Sequence, residues 1–155
     1  MAGRIEARLK ELGIELPEPA VPLANYIPFT VAGNLVVVSG QVPLQDGRIA
    51  YVGKVGAKLS LDDGRAAARL CFINVLAQLK VACGGDLDQV KQVVRLGGFI
   101  AAPPEFTQHP IAMNGASDLA VELFGEAGKH ARTTVGVPSL PSDAAVEVEG
   151  MFEIG

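Results

Sequence analysis

The spacing of apolar residues along the chain predicts three helices. Apolar positions three to four residues apart occur over residues 3–13 and again over about Ile111–Phe124. The longest stripe follows Ser60, an N-cap residue with Asp63 three positions later in an approximate capping box, and ends at Gly84-Gly85. We therefore expect a short N-terminal helix followed by two longer ones.

Apolar runs between these helices predict strands. Leu35–Val38 is a four-residue apolar run, typical of a strand that is buried on both faces. Asp46-Gly47 is a hairpin signal, so the chain is expected to return as a second strand directly after it. The predicted strands cover residues 34–42, 48–55, Val90–Ala101, Arg132–Val137 and 144–154.

The predicted order β-β-α-β-α-β-β is that of an α+β fold. Strands precede and follow each long helix, so we expect one mixed β-sheet with two helices packed on one face, a two-layer domain. No shift of composition divides the chain. Residues 1–155 are therefore predicted to form a single domain, in which residues 1–21 are an N-terminal helical and proline-rich extension.

The sheet is predicted to carry more apolar side chains than one layer of helices covers. The residues expected on its outer face are Val36, Val38, Val93, Thr133 and Val135. An apolar surface of this kind is typical of association. The sequence therefore predicts a homo-oligomer.

The composition of the chain argues against a disordered, nucleic-acid-binding, zinc-binding or secreted protein. Hydrophobic residues make up 49% of the chain and the net charge is −4, so we expect a folded protein without general attraction to nucleic acids or anionic membranes. Cys71 and Cys83 have no zinc-site spacing and are predicted to be reduced, buried thiols. Residues 1–16 carry several charges rather than the apolar segment of a signal peptide. We expect a cytoplasmic protein.

Several polar segments are candidate sites, and each also has a structural interpretation. Arg132 opens a strand, where a guanidinium that stays charged needs either a structural carboxylate or a ligand beside it. Glu147 and Glu149 share one face of the last strand, as is usual for a strand whose polar residues alternate with apolar ones and face the solvent. Gly40, within Ser39–Gln41, allows a ligand to approach the backbone or simply forms a turn.

A further segment, MNGASDL, lies at the start of the last predicted helix. A turn at Asn114-Gly115 and capping by Ser117 or Asp118 account for its residues. His109 and His130 match no spacing rule for catalysis and are expected on the surface or in loops. No metal-binding or nucleotide-binding motif occurs in the sequence.

Three segments follow one another at the spacing of a known family: NYIPFTVAGNLVVVSGQVP, LDQVKQVVRLGGFI and RTTVGVPSLPSDAAVEVEG. Their most specific parts are the run N-L-x-x-x-S-G-Q-x-P and the fifteen positions from Arg132 to Glu147. Over residues 22–154 the chain resembles the Rid family of reactive intermediate deaminases, also called YjgF-like or endoribonuclease L-PSP proteins. The resemblance implies a chorismate-mutase-like fold that assembles as a homotrimer with a cleft at each subunit interface.

The resemblance also implies roles for individual residues. Arg132 corresponds to the arginine that holds the substrate carboxylate, and Glu147 to the acidic residue that positions the attacking water. Thr134 stands where the family often has a cysteine, and its hydroxyl can still hydrogen-bond a water or an amine. The implied pocket residues are Tyr26, Ser39, Gly40 and Asn114.

The implied reaction is the hydrolysis of a reactive 2-imino acid, for example one derived from 2-aminoacrylate, to a 2-keto acid and ammonia. The resemblance implies no metal or organic cofactor. One alternative is a non-catalytic trimer that binds or senses a small carboxylate through the same arginine. Another is an endoribonuclease acting on single-stranded RNA, which the net charge of −4, the 5% aromatic content and the lack of a placed histidine pair disfavour.

Overall fold

The described part of the chain, residues 3–19 and 27–155 of a computed structural model, contains three α-helices, seven strands and three short 3₁₀-helices. The helices are α1 (Arg4–Glu11), α2 (Leu61–Ala82) and α3 (His109–Phe124). The strands are β1 (Phe29–Ala32), β2 (Leu35–Gln41), β3 (Leu44–Gln45), β4 (Arg48–Ile49), β5 (Val90–Ala101), β6 (Ala131–Val137) and β7 (Val146–Ile154).

Five of these strands form one mixed sheet in the order β1-β2-β7-β5-β6. The β5–β6 pair is parallel, and the other three pairs are antiparallel. The helix α2 packs on β2 and β7, and α3 packs on β5 and β6. The predicted α+β fold, with two helices on one face of a mixed sheet, is confirmed, and α1 is a third helix that contacts α3.

The main core lies between α2 and the centre of the sheet. Phe72, Leu76 and Leu79 of α2 are fully buried in the same cluster as Val148 and Phe152 of β7. Burying a side chain of this size stabilises the folded state by roughly 1.5–3 kcal/mol. This interface holds β7, the strand that carries the candidate glutamate, in a fixed position.

The helix α2 begins and ends as the sequence predicts. The Ser60 hydroxyl accepts a hydrogen bond from the Asp63 backbone N–H, and the Asp63 carboxylate accepts one from the Ser60 N–H, both at 3.0 Å. This reciprocal pair satisfies N–H groups that the first turn of a helix leaves free. The helix ends at Ala82, ahead of Gly84 and Gly85, whose φ angles of 64° and 96° turn the chain away.

The strand expected over residues 48–55 is not part of the main sheet. The chain does form a hairpin at Asp46-Gly47, but β3 and β4 have two residues each and make a separate ribbon. Positive φ angles at Gly53 and Gly56 interrupt the segment that follows. The hairpin partner of β2 is β1, reached through Gly33-Asn34. The sequence missed this strand because the prolines before it suggested an extended surface segment.

The predicted set of outward apolar residues is largely wrong. Val36, Val38 and Val93 face the helices and are fully buried in the core. The helix layer therefore covers more of the sheet's apolar side chains than expected. Of the five predicted residues, Thr133 and Val135 lie on the outer face, where Val135 is 43% exposed.

The helical part of the N-terminal extension packs on the domain. Ile5 and Leu9 are buried in the core. The backbone N–H groups of Arg4 and Ile5 donate to the two carboxylate oxygens of Asp88 at 2.8 and 2.9 Å. These bonds lower the pKa of Asp88, because they stabilise its charged form at the positive end of α1. Arg8 donates to a backbone carbonyl near the end of α3 at 2.7 Å.

Cys71 and Cys83 are both buried free thiols, as predicted. Burial raises the pKa of the Cys71 thiol, which lies 3.4 Å from the Val146 carbonyl oxygen. Within residues 3–19 and 27–155, no helix is long and apolar enough to cross a membrane.

Candidate functional site

The guanidinium of Arg132 is held by neutral oxygens on the helix side of β6. Its Nη1 donates to Asn114 Oδ1 at 2.8 Å and to Ser117 Oγ at 3.0 Å, and its Nη2 donates to the Pro110 carbonyl at 3.2 Å. Arg132 is half-buried, and no ion pair among the described residues involves it. A structural carboxylate partner is thus not found in that part of the chain, which favours the ligand interpretation.

One face of α3 provides two of these acceptors, because Asn114 and Ser117 are three positions apart in a helix. The prediction that Asn114-Gly115 forms a turn and that Ser117 or Asp118 caps a helix is wrong, since all four lie inside α3. A side chain at Gly115 would overlap the backbone carbonyl of Arg65 on α2. Glycine therefore permits the close crossing of the two helices that places α3 over β6.

His130 belongs to the same hydrogen-bonded group, although its spacing matched no rule. It lies in the loop before β6 and is half-buried. Its Nε2 is 2.9 Å from Ser117 Oγ, and its Nδ1 is 2.6 Å from the Gly128 carbonyl oxygen. The signals that could have found it are its position two residues before Arg132 and the i, i+3 relation of the two α3 side chains. We call Arg132, Asn114, Ser117 and His130 the arginine group.

The same face of β6 continues toward the end of the strand with Thr134 and Gly136. The Thr134 hydroxyl oxygen is buried and has no hydrogen-bond partner among the described residues. The His109 ring lies where a side chain on Gly136 would be, and it packs edge-on against Phe106 with ring centroids 5.0 Å apart. Residues of the segment 102–110, which comprises the connection after β5 and the first two residues of α3, line a cavity of about 430 Å³ there together with the end of β6.

Glu147 lies on the opposite face of the sheet from Arg132. The central strand β5 pairs Leu96 with Arg132 and Phe99 with Glu147. Paired residues share a face, and successive residues of a strand alternate between faces, so partners three positions apart on β5 point to opposite sides. One chain alone therefore does not bring the two candidate catalytic residues together.

Glu147 and Gly40 lie next to each other on that opposite face, and we call them the glutamate group. A Cβ atom on Gly40 would be 2.8 Å from Glu147 Oε2, so the missing side chain leaves room for the carboxylate. Glu147 is half-buried, and its pKa is raised, first by burial and second by the negative charge of Glu149. An acid in this state is suited to proton transfer closer to neutral pH than an ordinary glutamate.

The two remaining predicted pocket residues are Ser39, which directly precedes Gly40, and Tyr26. The Ser39 hydroxyl donates to the Ile27 carbonyl at 2.8 Å, so it ties the end of β2 to the segment before β1. Tyr26, which immediately precedes that segment, lies outside the described residues. In the described ranges, no three metal-binding side chains cluster together.

The two groups offer complementary chemistry on two sides of one sheet. The arginine group presents a cation with N–H donors that have no partner among the described residues, and a carboxylate is the ligand that such donors bind best. The glutamate group presents a carboxylate with a raised pKa, a property that suits a general base. Together they could bind a small carboxylic acid and activate water beside it.

Comparison with known proteins agrees with this fold. Residues 6–153 match the family described as "YjgF/chorismate_mutase-like, putative endoribonuclease". Protein TCP17 of Trypanosoma cruzi is 46% identical over 154 residues, which span 99% of this chain and 96% of TCP17.

Solved structures match over nearly the whole chain. The protein Atu1372 of Agrobacterium tumefaciens, of unknown function, is 48% identical with a TM-score of 0.92, covering 97% of this chain and 92% of its own. A "putative endoribonuclease" of Shewanella oneidensis MR-1 is 41% identical with a TM-score of 0.94, covering 98% and 100%. Escherichia coli TdcF, solved with bound serine, is similar in fold, with 23% identity, a TM-score of 0.63 and coverage of 89% and 94%. The chain belongs to the YjgF/chorismate-mutase-like family.

Proposed function

We propose that this protein hydrolyses reactive 2-imino acids to 2-keto acids and ammonia. The observation that carries the proposal is the half-buried guanidinium of Arg132, which donates to three neutral oxygens and forms no ion pair within the described residues. An arginine in this state keeps its positive charge available for a ligand. A small carboxylate is the ligand class that suits it.

The hydrogen bonds of Arg132 also leave a defined pair of donors. Both Nη1 hydrogens are used, by Asn114 and Ser117, and one Nη2 hydrogen is used by the Pro110 carbonyl. The Nε–H and the second Nη2–H have no partner among the described residues and can donate to the two oxygens of a ligand carboxylate. Bound this way, a 2-imino acid has its C=N carbon one bond from the anchored carboxylate.

Hydrolysis of the bound imine needs a water molecule and a group that moves its protons. Water adds to the C=N carbon, and one of its protons is transferred to nitrogen to give a carbinolamine. The hydroxyl proton of the carbinolamine then also moves to nitrogen, the C–N bond breaks, and ammonia leaves as the C=O bond forms. Glu147 is proposed to accept the proton of the attacking water and return it to the nitrogen. The Thr134 hydroxyl, which lacks a partner in the described part of the chain, is proposed to hydrogen-bond the water or the amine. Positioning is the main contribution required, because imines hydrolyse readily unaided.

The proposed site requires two copies of the chain, since Arg132 and Glu147 lie on opposite faces of the sheet. We assign the arginine group to one subunit and the glutamate group to its neighbour in a homotrimer with interfacial clefts. The edge position of β6 and the exposed Val135 support this assignment, because unpaired edges and exposed apolar residues are typical of association surfaces.

Two other functions are compatible with this fold, and the experiments below separate them from the deaminase. A carboxylate sensor would bind its ligand at Arg132 without turnover. An endoribonuclease, the activity in the family's description, would need acid–base groups and a basic surface. The net charge is −4, and the ring nitrogens of His130 are engaged by Ser117 and Gly128. These observations favour the deaminase.

The first test measures how far the protein outcompetes a chemical trap. Imines are generated by an amino-acid oxidase in the presence of semicarbazide, and the semicarbazone and 2-keto acid are quantified. We expect the wild type to divert imine from the trap, and Arg132→Ala and Arg132→Lys to lose this ability, because lysine keeps the charge without the planar pair of donors. Arg48→Ala, at an exposed position of β4, is the matched control and should retain activity.

The stability of the same variants tests whether Arg132 has a purely structural role. Its three hydrogen bonds are half-exposed, so Arg132→Ala should cost only about 1–2 kcal/mol of unfolding free energy. A much larger loss would favour a structural arginine. Failure of the wild type with every imine, combined with binding of 2-keto acids, would identify a sensor. Cleavage of RNA that weakens steeply with salt would identify the nuclease instead.

Complementation tests whether each site is shared between copies. Arg132→Ala and Glu147→Gln are each expected to be inactive alone. If the sites are shared in a trimer, refolding the two variants together at equal amounts restores about a quarter of the wild-type sites, since each interface then draws both residues at random. No recovery in mixed oligomers would show that both residues act within one chain, contrary to the proposal.

A further inference from the structure

We propose that His130 is a positioning residue that acts through Ser117 to hold Arg132 in its carboxylate-binding orientation. The inference rests on the proposed function, since it concerns the same arginine. It follows from a continuous chain of hydrogen bonds from the Gly128 carbonyl through His130 and Ser117 to Arg132.

The first link determines the tautomer of the imidazole. A backbone carbonyl can only accept a hydrogen bond, so His130 Nδ1, at 2.6 Å from the Gly128 oxygen, must carry a proton. In the neutral ring, Nε2 is then unprotonated and can only accept. The Ser117 hydroxyl, 2.9 Å away, is therefore the donor to Nε2.

The second link makes Ser117 an acceptor for the arginine. A serine has one hydroxyl proton, and His130 takes it. The remaining lone pairs of Ser117 Oγ face the Nη1 of Arg132 at 3.0 Å. Without the histidine, the hydroxyl proton is free to rotate toward the guanidinium, where two donors would oppose each other. His130 thus selects the rotamer of the hydroxyl that accepts from Arg132.

The hydrogen bond from Arg132 to Ser117 fixes the direction of the N–H groups of Arg132 that remain to bind the ligand. When Asn114 and Ser117 occupy both Nη1 hydrogens, the guanidinium cannot rotate, and its Nε–H and second Nη2–H keep a fixed direction. Loss of the Ser117 bond frees one Nη1 hydrogen and loosens that direction. The effect should appear as weaker binding of a carboxylate, while the fold is retained.

Binding of pyruvate, a stable 2-keto acid, to five variants tests the inference by calorimetry. Ser117→Ala and His130→Leu should each weaken binding about three- to tenfold, the range of one net hydrogen bond. The double variant Ser117→Ala/His130→Leu should bind pyruvate no more weakly than the single variant Ser117→Ala, because the histidine acts only through the serine. His130→Gln, whose side-chain oxygen can accept from the serine, should stay within about twofold of wild type. Asp118→Ala, an exposed neighbouring position on α3, is the control and should leave binding unchanged.

A spectroscopic measurement tests the hydrogen bonds directly. Side-chain ¹⁵N NMR of the histidines should show the neutral His130 ring protonated at Nδ1 and bare at Nε2, and Ser117→Ala should shift the Nε2 resonance. A proton on Nε2, additive losses in the double variant, or equal losses for His130→Gln and His130→Leu would each overturn the inference. If Arg132→Ala still binds pyruvate at wild-type strength, the proposed function fails, whereas the NMR result judges the hydrogen-bond chain separately.

Discussion

Replacing Gly40 by alanine tests whether the Glu147 carboxylate acts from the position it occupies in this chain. The new Cβ would be 2.8 Å from Oε2 and 2.9 Å from the carboxyl carbon. An ordinary contact of carbon with a neighbouring heavy atom is about 3.5 Å, so the carboxylate must move by about 0.7 Å. A displacement approaching 1 Å at a reacting group lowers the rate about ten- to a hundredfold.

The same substitution should leave the fold intact. Gly40 has no positive φ, so alanine is compatible with its backbone, and the clash involves the flexible end of a side chain. We expect an unfolding free energy within about 1 kcal/mol of wild type, since alanine also restricts the unfolded chain. The assay is the competition with semicarbazide, measured as kcat/KM for the imine, together with thermal melting.

A matched set of variants separates displacement of Glu147 from other effects. Glu147→Gln should abolish turnover, and Gly40→Ala/Glu147→Gln should be no worse than Glu147→Gln, because both changes act on one carboxylate. Wild-type kcat/KM in Gly40→Ala would refute the reasoning, as would a loss that adds fully to that of Glu147→Gln.

Three further predictions concern charge and packing. Because the pKa of Glu147 is raised and its deprotonated form is the proposed base, activity should fall as the pH drops through that pKa, and Glu149→Gln should move this acid limb of the pH–rate profile to lower pH. Asp88→Ala should cost about 1 kcal/mol in denaturant unfolding by removing the cap of α1. Because the pKa of Asp88 in the folded protein lies below the ordinary value of 3.8, Asp88 contributes to the free energy of unfolding above pH 3.8, and this contribution is lost as the pH falls through the lowered pKa. Asp88→Ala should therefore lack this part of the loss of stability in acid. Gly115→Ala should destabilise the protein by more than about 3 kcal/mol or prevent folding, because its methyl group would overlap the Arg65 carbonyl, and unchanged melting would contradict the observed crossing of α2 and α3.

Local features of the fold followed from the sequence because neighbouring residues produce them. The capping box at Ser60 and Asp63 depends on residues three apart, and β5 occupies the predicted range Val90–Ala101. The strand β1 was missed because a short segment after several prolines has little intrinsic preference, and its pairing with β2 makes it a strand. Asn114 and Ser117 have a turn-like sequence, but the crossing of α2 and α3 keeps them helical.

The candidate site also has features that the sequence predicts and features that only the tertiary structure decides. Three segments taken together, with the run N-L-x-x-x-S-G-Q-x-P and the fifteen positions from Arg132 to Glu147 as their most specific parts, were sufficient to recognise the family, which the match over residues 6–153 confirms. The sequence could not tell that the two residues face opposite sides, because neither strand pairs with the other. That relation depends on the register of the strand between them, which pairs Leu96 with one and Phe99 with the other. Residue types and their spacing therefore determined which functional groups the site contains. The hydrogen-bond register, which is a property of the assembled sheet, decided that one chain places Arg132 on one face and Glu147 on the other, so that each face holds only half of the proposed site.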